Sequence, residues 1–466
     1  FFLSVDADAL KKKPVSFQPY PDIVRAFLIN HDDGSTGLEL SSMVPHDIEI
    51  SNIQWRGNKD SSVIRYFRPE RTIDFPLTLA ATPAGEIPTA RRIACAAVED
   101  RNQFSLEITA SVKGGNRSYK QVATDYFAPL KRHPIPNARI ERQLDKHPFL
   151  RLMEDGKTVH VRQGTWQVSD SIVIPSDYRL KVDAGTTLTF SERDGLFAMG
   201  AITCKGTAEK PIVFRGTPAA DGQSSGAWQG IFVQGGEHPS TWSYVTVRDT
   251  RGIHRKGWTL TGGVTFYEST VHLDHCVFAN NHAEDALNLI HSTFRMVDTD
   301  FFSTVSDACD SDFSDGDVQN GIFRDIGSAG GGDAIDISGS RISVSGTRFV
   351  NVSDKALSVG ERSTMTAKDV VVEDSGTGAA SKDGSVLELS NARITDVSVA
   401  ALMTYVKKPE YGPARITAIG VDYSGTAPFA RAEEGSEIVV DGNEIEPEDM
   451  DVQALYDTVM KKGARQ

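Results

Sequence analysis

The chain has 466 residues and a formal net charge of −14, from 49 Lys and Arg against 63 Asp and Glu. An acidic surface repels phosphate backbones, so the composition argues against a nucleic-acid partner. No apolar run approaches the roughly 20 residues of a membrane-spanning helix, and a chain with 39% hydrophobic and 24% charged residues is typical of a folded protein.

Residues 1–140 predict a small β-sandwich-like N-terminal domain. Polar and apolar residues alternate through 106–112 and again through 119–122, and a glycine-rich segment, Lys113 to Asn116, lies between them. This pattern predicts a β-hairpin. The region has no cluster of His, Cys or carboxylates, which favours a packing role for it.

The middle of the chain, residues 141–445, is repetitive. Four similar segments centre on alanines separated by 22, 26 and 22 residues, namely Ala286, Ala308, Ala334 and Ala356. Each unit also has an aromatic strand residue before its turn, such as Phe301. Three short strands per roughly 22 residues predict the coils of a β-helix, whereas a propeller blade needs about 40 residues and a leucine-rich repeat has its own Leu and Asn spacing.

These repeats, together with residues 201–214 and Trp228-Gln229-Gly230-Ile231, resemble the right-handed parallel β-helix of the pectate-lyase-like superfamily over roughly residues 160–440. With its β-rich front, the chain also resembles β-helix regions attached to bacterial CotH-type envelope proteins. The resemblance implies a secreted, periplasmic or cell-surface protein, and it would make this chain the C-terminal portion of a longer one. The superfamily includes lyases, hydrolases, epimerases and adhesins.

Residues 446–466 predict a short helical cap. The apolar residues of this tail have a partial three-to-four spacing, typical of an amphipathic helix: Met450, Val452, Leu455, Val459 and Met460. A solenoid end needs cover because its open strand edge would otherwise pair with another chain.

Strand alternation predicts an acidic outer face on the β-helix. If Leu287 and Ile335 point inward, the side chains after them point outward beside a floor of small alanines: Asn288, Asp310, Asp336 and Ser358. Since successive coils lie about 4.8 Å apart, Asp310 and Asp336 are expected to be neighbours, with Asp312 beside them.

A second acidic row lies at the bend before these strands. It contains Asp285, Asp307 and Asp333, with Lys355 at the matching place in the next coil. Aspartates at bends commonly accept hydrogen bonds from backbone amides, and we expect this structural role for the row.

Neighbouring carboxylates about 5 Å apart repel, so one must stay protonated or a cation must enter. The cation alternative predicts a Ca²⁺ site, because calcium prefers six to eight oxygen ligands. Its predicted ligands are Asp310, Asp312, Asp315 and Asp336.

The catalytic alternative leaves three reactions open. In a hydrolase, Asp310 and Asp336 would be the carboxyl pair. In a lyase or epimerase, Lys355 or Arg362 would remove the C5 proton or bind the uronate carboxylate. The Asn-Thr-Asp, Gly-His-Gly and Arg-Ile-Lys set of the polygalacturonase type is absent, and so is the Asp-Pro-His-Asp motif of the alginate epimerase type.

Other residues are candidates for substrate contact. Arg295 is one, and Arg255 and Trp258 lie in a basic segment that interrupts the repeat and predicts a loop beside the groove. Trp228 and Trp242 could likewise stack on sugar rings, although core packing is favoured for them.

The function predicted first is engagement of an acidic or extended polysaccharide along the aspartate-lined face, with lyase, epimerase or hydrolase chemistry left open. The alternative is a non-catalytic structural or adhesion module, in which the aspartates serve turns and solubility. The sequence does not indicate an oligomeric state.

Overall fold

The computed structural model describes residues 23–30, 36–58, 62–83, 88–96, 103–127, 138–218, 227–255, 258–458 and 460. They belong to two compact units, Phe1–His133 and Pro134–Gln466. No helix in the described ranges has the length and apolar character that crossing a bilayer requires.

The first unit consists of two β-sheets that share one apolar core, in which Leu38 and Ile108 are buried. One sheet has the order β6-β2-β1-β9, and the other has β4-β3-β7-β8 with β5 beside β3. The predicted hairpin is present as the antiparallel pair β7–β8. The strands are β1 (Val24–Asn30), β2 (Thr36–Ser42), β3 (Ile48–Gly57), β4 (Ile64–Tyr66), β5 (Leu77–Leu79), β6 (Arg91–Cys95), β7 (Phe104–Val112), β8 (Ser118–Val122) and β9 (Thr124–Phe127).

The second unit is a parallel β-solenoid of about 12 turns, so the predicted fold class is confirmed. Helix α1 (Ile140–Lys146) and the antiparallel strand β10 (Leu150–Leu152) precede it. Each turn contributes one strand to each of three faces. Four strands bend across a corner and belong to two faces: β35 (Arg348–Gly360), β37 (Val371–Lys382), β38 (Val386–Thr395) and β40 (Arg415–Ser424).

Face 1 ends each turn of the repeat and includes the second halves of β35 and β37. Its other strands are β13 (Ile172–Ile174), β16 (Gly195–Ala198), β19 (Gly230–Gln234), β24 (Gly262–Tyr267), β27 (Asp285–Ile290), β30 (Asp307–Asp312), β33 (Ile335–Ser338), β39 (Ala400–Tyr405) and β41 (Ala430–Ala432).

Face 2 follows face 1 along the chain and includes the first halves of β38 and β40. Its other strands are β11 (Thr158–Val161), β14 (Arg179–Asp183), β17 (Ile202–Lys205), β20 (Ser240–Ser243), β25 (Thr270–Asp274), β28 (Thr293–Val297), β31 (Asp315–Gln319), β34 (Arg341–Ser345), β36 (Thr364–Lys368) and β42 (Glu437–Val440). Strand β43 (Asn443–Glu444) turns back on β42.

Face 3 lies between faces 2 and 1 along the chain and includes the first halves of β35 and β37 and the second halves of β38 and β40. Its other strands are β12 (Thr165–Val168), β15 (Thr187–Phe190), β18 (Ile212–Gly216), β21 (Val245–Arg248), β26 (Val277–Asn281), β29 (Asp300–Thr304) and β32 (Ile322–Ile326). A hairpin of β22 (Ile253–Arg255) and β23 (Trp258–Leu260) interrupts the repeat between faces 3 and 1.

Equivalent side chains stack inside the solenoid because successive turns are in register. Phe278, Phe301, Phe323 and Phe349 of face 3 form a continuous stack, with ring centroids 4.9, 4.6 and 5.2 Å apart. This distance matches the strand spacing of about 4.8 Å. The aromatic residue in each repeat therefore forms the centre of the core, where Trp228 and Trp242 are also fully buried.

A ladder of serines holds the corner between faces 1 and 2. The amide of Ser314 donates to Ser340 Oγ at 2.9 Å, and the amide of Ser340 donates to Ser363 Oγ at 3.0 Å. The Ser340 hydroxyl donates in turn to the Ser311 carbonyl at 2.8 Å. Ser292 and Ser385 extend the same ladder in both directions.

We expect Ser340→Ala to lower the free energy of unfolding by about 1–3 kcal/mol, because the buried Ser314 amide loses its acceptor. Urea denaturation measures the change. Ser328→Ala, at an exposed position, is the control and should change stability by less than about 0.5 kcal/mol. Equal stability of the two variants would contradict a structural role for the ladder.

The C-terminal helix α2 (Val452–Thr458) packs on the outer surface of face 1. Val452 and Tyr456 contact a cluster that contains Ala380, Met403 and Tyr405, all of which point outward from the solenoid. The Tyr405 and Tyr456 hydroxyls are 2.8 Å apart. The sequence predicted a cap for the solenoid end, and within the described residues the helix instead covers the outer side of the last turns. Val459 lies outside the described residues.

Candidate functional site

One column of outward side chains runs along face 1 from the first turns to the last. Strand pairing aligns Val173, Phe197, Phe232, Thr265, Asn288, Asp310, Asp336, Ser358, Ala380, Met403 and Arg431. The hairpin β22–β23 covers its apolar beginning, and helix α2 covers Ala380 and Met403. The polar middle, from Thr265 to Ser358, lies between these two covered ends. Within it Thr265, Asn288 and Ser358 are buried, whereas Asp310 and Asp336 are partly exposed.

The inward positions predicted for the leucines and isoleucines, and the pairing predicted for Asp310 and Asp336, are correct. Leu287, Leu289, Ile335 and Ile337 are buried in the core, and Asp310 is paired with Asp336 on the neighbouring strand.

The predicted outer floor of alanines is wrong, because Ala286, Ala308, Ala334 and Ala356 belong to the main apolar core. The amides of Ala308 and Cys309 both donate to the next turn, to the carbonyls of Asp333 and Ala334. Successive amides of a regular strand point to opposite neighbours, so the two-residue alternation is interrupted here. Ala308 and Cys309 consequently both point inward.

Asp310 and Asp336 have opposite electrostatic environments. Burial, together with Asp285, Asp336 and Asp312, raises the pKa of Asp310 well above its usual range. Burial also opposes ionisation of Asp336, but Lys382 and Lys355 hold its pKa below the usual value. The two carboxyl groups therefore favour different protonation states on adjacent strands.

Lys382 reaches Asp336 from two turns away. Its ammonium donates to Asp336 Oδ1 at 3.3 Å and to Ser358 Oγ at 2.9 Å. The side chain crosses Gly360, where a Cβ atom would lie 2.7 Å from Lys382 Cε. Glycine at position 360 thus leaves room for the lysine, which is only 5% exposed.

Lys355 joins two carboxylates at the bend before face 1. Its ammonium lies 3.0 Å from Asp333 Oδ1 and 2.5 Å from Asp354 Oδ2. Burial alone would lower the pKa of Lys355, but Asp333 and Asp354 keep it well above the ordinary value. A lysine held protonated in this way compensates charge and is poorly suited to remove a proton.

Two of the three bend aspartates, Asp307 and Asp333, accept backbone hydrogen bonds, as predicted, whereas Asp285 accepts from a side chain. Asp307 Oδ1 accepts from the Asp333 amide at 2.7 Å, and Asp333 Oδ1 accepts from the Lys355 amide at 2.9 Å. Asp285 Oδ2 accepts from Asn288 Nδ2 at 3.1 Å. Burial raises the pKa of Asp285 to about 6, and the charges of Asp285 and Asp307 contribute to the raised pKa of Asp310.

The four predicted calcium ligands do not converge. In the described part of the chain, three ligand atoms within 4.8 Å of one another occur at Asp274, His275 and Asp298, on a different corner. Asp315 lies on face 2, where its carboxylate pairs with Arg341 at 3.0 Å. Asp310, Asp312 and Asp336 share face 1, where burial, Asp336 and Glu361 raise the pKa of Asp312.

The predicted basic contacts lie away from the aspartate pair. Arg362 is at the corner after β35, with its guanidinium 5.6 Å from the centre of the Tyr411 ring. Arg295 is on face 2, opposite Asp317 on the next strand, next to a shallow groove of about 400 Å³ lined by Asp315, Asp317 and Arg341 among others.

Trp258 lies in the hairpin and packs edge-on against Phe232, with ring centroids 5.3 Å apart. It therefore helps cover the beginning of the face 1 column. Arg255 belongs to β22, but its side chain lies outside the described part of the structure.

Lys382 and Asp354 are site residues that the sequence did not predict. Asp354 directly precedes the predicted site residue Lys355, but no role was predicted for Asp354 itself. Lys382 lies one turn beyond the last repeat that the alanines aligned. Strand pairing places it at the position that Asp312 and Gly360 have in earlier turns. Extending the register by one turn would have found it.

No protein-family model and no curated protein matches the sequence. Among solved structures, the catalytic unit of the GH87 α-1,3-glucanase from Streptomyces thermodiastaticus matches at 10% identity and a TM-score of 0.34, covering 87% of this chain and 89% of that one. The A-module of the mannuronan C-5 epimerase AlgE4 from Azotobacter vinelandii matches at 15% identity and 0.31, covering 61% and 86%. An alginate lyase from Paenibacillus sp. matches at 10% identity and 0.26, covering 53% and 91%. The resemblance to CotH-type proteins stays a prediction.

Proposed function

We propose that this protein is a carbohydrate-active β-helix protein that hydrolyses a neutral polysaccharide bound on face 1 at the partly exposed Asp310–Asp336 pair. The observation that carries the proposal is the Asp310–Asp336 pair, whose two pKa values are shifted in opposite directions on adjacent strands. A pair of carboxyl groups with separated pKa values is the arrangement that acid and base roles in glycoside hydrolysis require.

Asp310 is the proposed proton donor to the glycosidic oxygen, because burial and the neighbouring aspartates raise its pKa and so favour its protonated form. Asp336 is the proposed ionised partner. Adjacent strands are about 4.8 Å apart, close to the carboxyl separation of about 5–5.5 Å in retaining enzymes. We therefore assign Asp336 as the nucleophile of a retaining reaction.

A neutral polymer suits this face better than the acidic one that the sequence suggested. Lyases and epimerases need a cation to neutralise the uronate carboxylate. Both lysines on face 1 are already bonded to aspartates of the protein, Lys355 to Asp333 and Lys382 to Asp336. The remaining carboxylates would repel a uronate.

The predicted Ca²⁺ ion would be another way to relieve the repulsion between the neighbouring Asp310 and Asp336 carboxylates. In our proposal, protonation of Asp310 and the charge of Lys382 relieve it. We also propose a secreted or envelope location for the protein, on the basis of the β-helix resemblance.

Incubation with a polymer panel tests this function. Laminarin, dextran, galactomannan and xylan represent neutral polymers, and alginate and polygalacturonate represent acidic ones, each with calcium and with EDTA. We expect new reducing ends from a neutral polymer, no ultraviolet-absorbing unsaturated sugar, and the same melting temperature in EDTA.

Unsaturated products would show a lyase instead. Polymer binding without cleavage would favour the adhesion alternative. A melting temperature that EDTA lowers in the wild type, but not in an Asp310→Asn, Asp336→Asn double variant, would support the calcium prediction.

A further inference from the structure

An exposed aromatic residue lies at the corner where face 1 ends. Phe313 is 61% exposed and has a backbone φ of +51°. Positive φ is favourable for Gly and tolerated by Asn or Asp, whereas it is unusual and costly for a bulky side chain. Most other non-glycine residues with positive φ in the described solenoid are Asp, Asn or His. Local stability alone does not explain a phenylalanine here.

Neighbouring turns fix the orientation of this ring. Phe313 stacks on His291 with centroids 5.1 Å apart and planes 16° apart, and Tyr267 meets His291 edge-on at 6.3 Å. On the other side is Gly339, where a Cβ atom would come within 2.6 Å of Phe313 Cδ1. The three rings form a short aromatic strip parallel to the solenoid axis, held without covering most of Phe313.

This strip lies at the edge of face 1, beside the strand that contains Asp310. Asp312 directly precedes Phe313 and is half-buried on face 1. Phe313 is three residues after Asp310, just past the end of β30, so the two residues are at most about 10 Å apart along the chain. A polysaccharide that crosses face 1 at Asp310 in the strand direction, perpendicular to the column of outward side chains, therefore reaches the exposed ring.

We propose that Phe313 is a stacking platform for a pyranose ring of the bound neutral polysaccharide, and that Asp312 accepts a hydrogen bond from a hydroxyl of the same sugar. The apolar face of a pyranose matches the face of an aromatic ring, and a carboxyl oxygen is a strong acceptor for hydroxyl groups. This inference rests on the proposed function, because it assigns a subsite to the same ligand.

Phe313→Asn separates binding from stability. Asn is better suited to positive φ, so we expect an unchanged or higher melting temperature. Loss of the stacking face should weaken binding about tenfold, equivalent to about 1.4 kcal/mol. Affinity electrophoresis of the inactive Asp310→Asn protein, with and without Phe313→Asn, measures this with laminarin, dextran, galactomannan and xylan as probes. With active enzyme, KM should rise about tenfold while kcat stays within about twofold.

Phe313→Trp should retain binding, since it keeps a stacking surface. Ile419→Ala is the matched control, an exposed apolar residue (62%) in β40, and should leave binding unchanged. Wild-type affinity in Phe313→Asn would overturn the platform and leave hydrolysis standing. A parallel loss of affinity and melting temperature would show a structural role and overturn it too. If the wild type neither binds nor cleaves any of the polymers, both proposals fall.

Discussion

Replacing Lys355 by Met is expected to lower the free energy of unfolding by about 3–5 kcal/mol, because it leaves two buried carboxylates without their cation. The Lys355 side chain is 3% exposed, and those of Asp333 and Asp354 are 6% and 3% exposed. Burial already raises the pKa of Asp354 to about 6, and one of its oxygens has no hydrogen-bond partner. Urea denaturation near neutral pH measures the loss.

Two further variants make this result specific. Lys408→Met removes a lysine that pairs with Glu361 at 2.5 Å but is 44% exposed, and an exposed pair of this kind contributes about 0–1 kcal/mol. Adding Asp354→Asn to Lys355→Met should recover part of the loss, because it removes one of the two uncompensated charges. If Lys355→Met is no less stable than Lys408→Met, Lys355 does not balance the charges of this cluster.

Lowering the pH should reduce the difference in free energy of unfolding between Lys355→Met and the wild type. A carboxyl group whose folded pKa is raised costs stability once it ionises, and the cost is absent below its unfolded pKa of about 3.9. Removing Lys355 increases this cost for Asp354. The destabilisation should therefore grow as the pH rises above about 6, the pKa of Asp354 in the wild type.

The second large effect is on activity. Asp310→Asn is expected to lower kcat/KM on the cleaved polymer by about 10²–10⁴-fold, the usual contribution of a general acid. The wild-type rate should fall at alkaline pH as Asp310 loses its proton, and this limb should disappear in the variant. Initial rates of reducing-end release across pH measure both effects.

The free energy of unfolding distinguishes the effects of replacing Asp310 and Asp336. Because the pKa of Asp310 is raised in the folded state, its ionisation costs stability, and Asp310→Asn should be at least as stable as the wild type near neutral pH. The pKa of Asp336 is lowered, so its ionised form contributes stability that is lost only as the pH falls through that value. Asp336→Asn should therefore lose both activity and stability, since Lys382 is left without its carboxylate.

Asp315→Asn is the control for the Asp310→Asn and Asp336→Asn variants, since Asp315 lies on face 2 and pairs with Arg341. If Asp310→Asn cleaves as fast as the wild type, Asp310 is not the acid.

Much of the fold could be predicted because repeats constrain one another. The spacing of the alanines set the register of four turns, and the register placed Asp310 beside Asp336 and Lys355 beside Asp333. The serine ladder was available from the same spacing, since Ser292, Ser314 and Ser340 recur with the alanines. The alanines themselves were assigned to the wrong side because alternation holds within a strand and fails at a bend.

The site could be predicted only in part. The sequence identified the carboxyl pair, but it offered protonation and a bound cation as equal answers to their repulsion. That choice depends on where the neighbouring charges lie. Lys382 comes 46 residues after Asp336 in the chain, and its approach depends on the missing side chain of Gly360. Sequence distance gives no indication of such a contact.

The amino-acid sequence by itself determined the solenoid, its register and the outward position of the aspartates, because these follow from local alternation and a repeating period. Only the tertiary structure decided the electrostatics of the pair, because burial and the positions of Lys355 and Lys382 determine which carboxyl group keeps its proton. The tertiary structure likewise decided that the two ends of the face 1 column are covered, since the hairpin and helix α2 fold back onto strands of earlier turns.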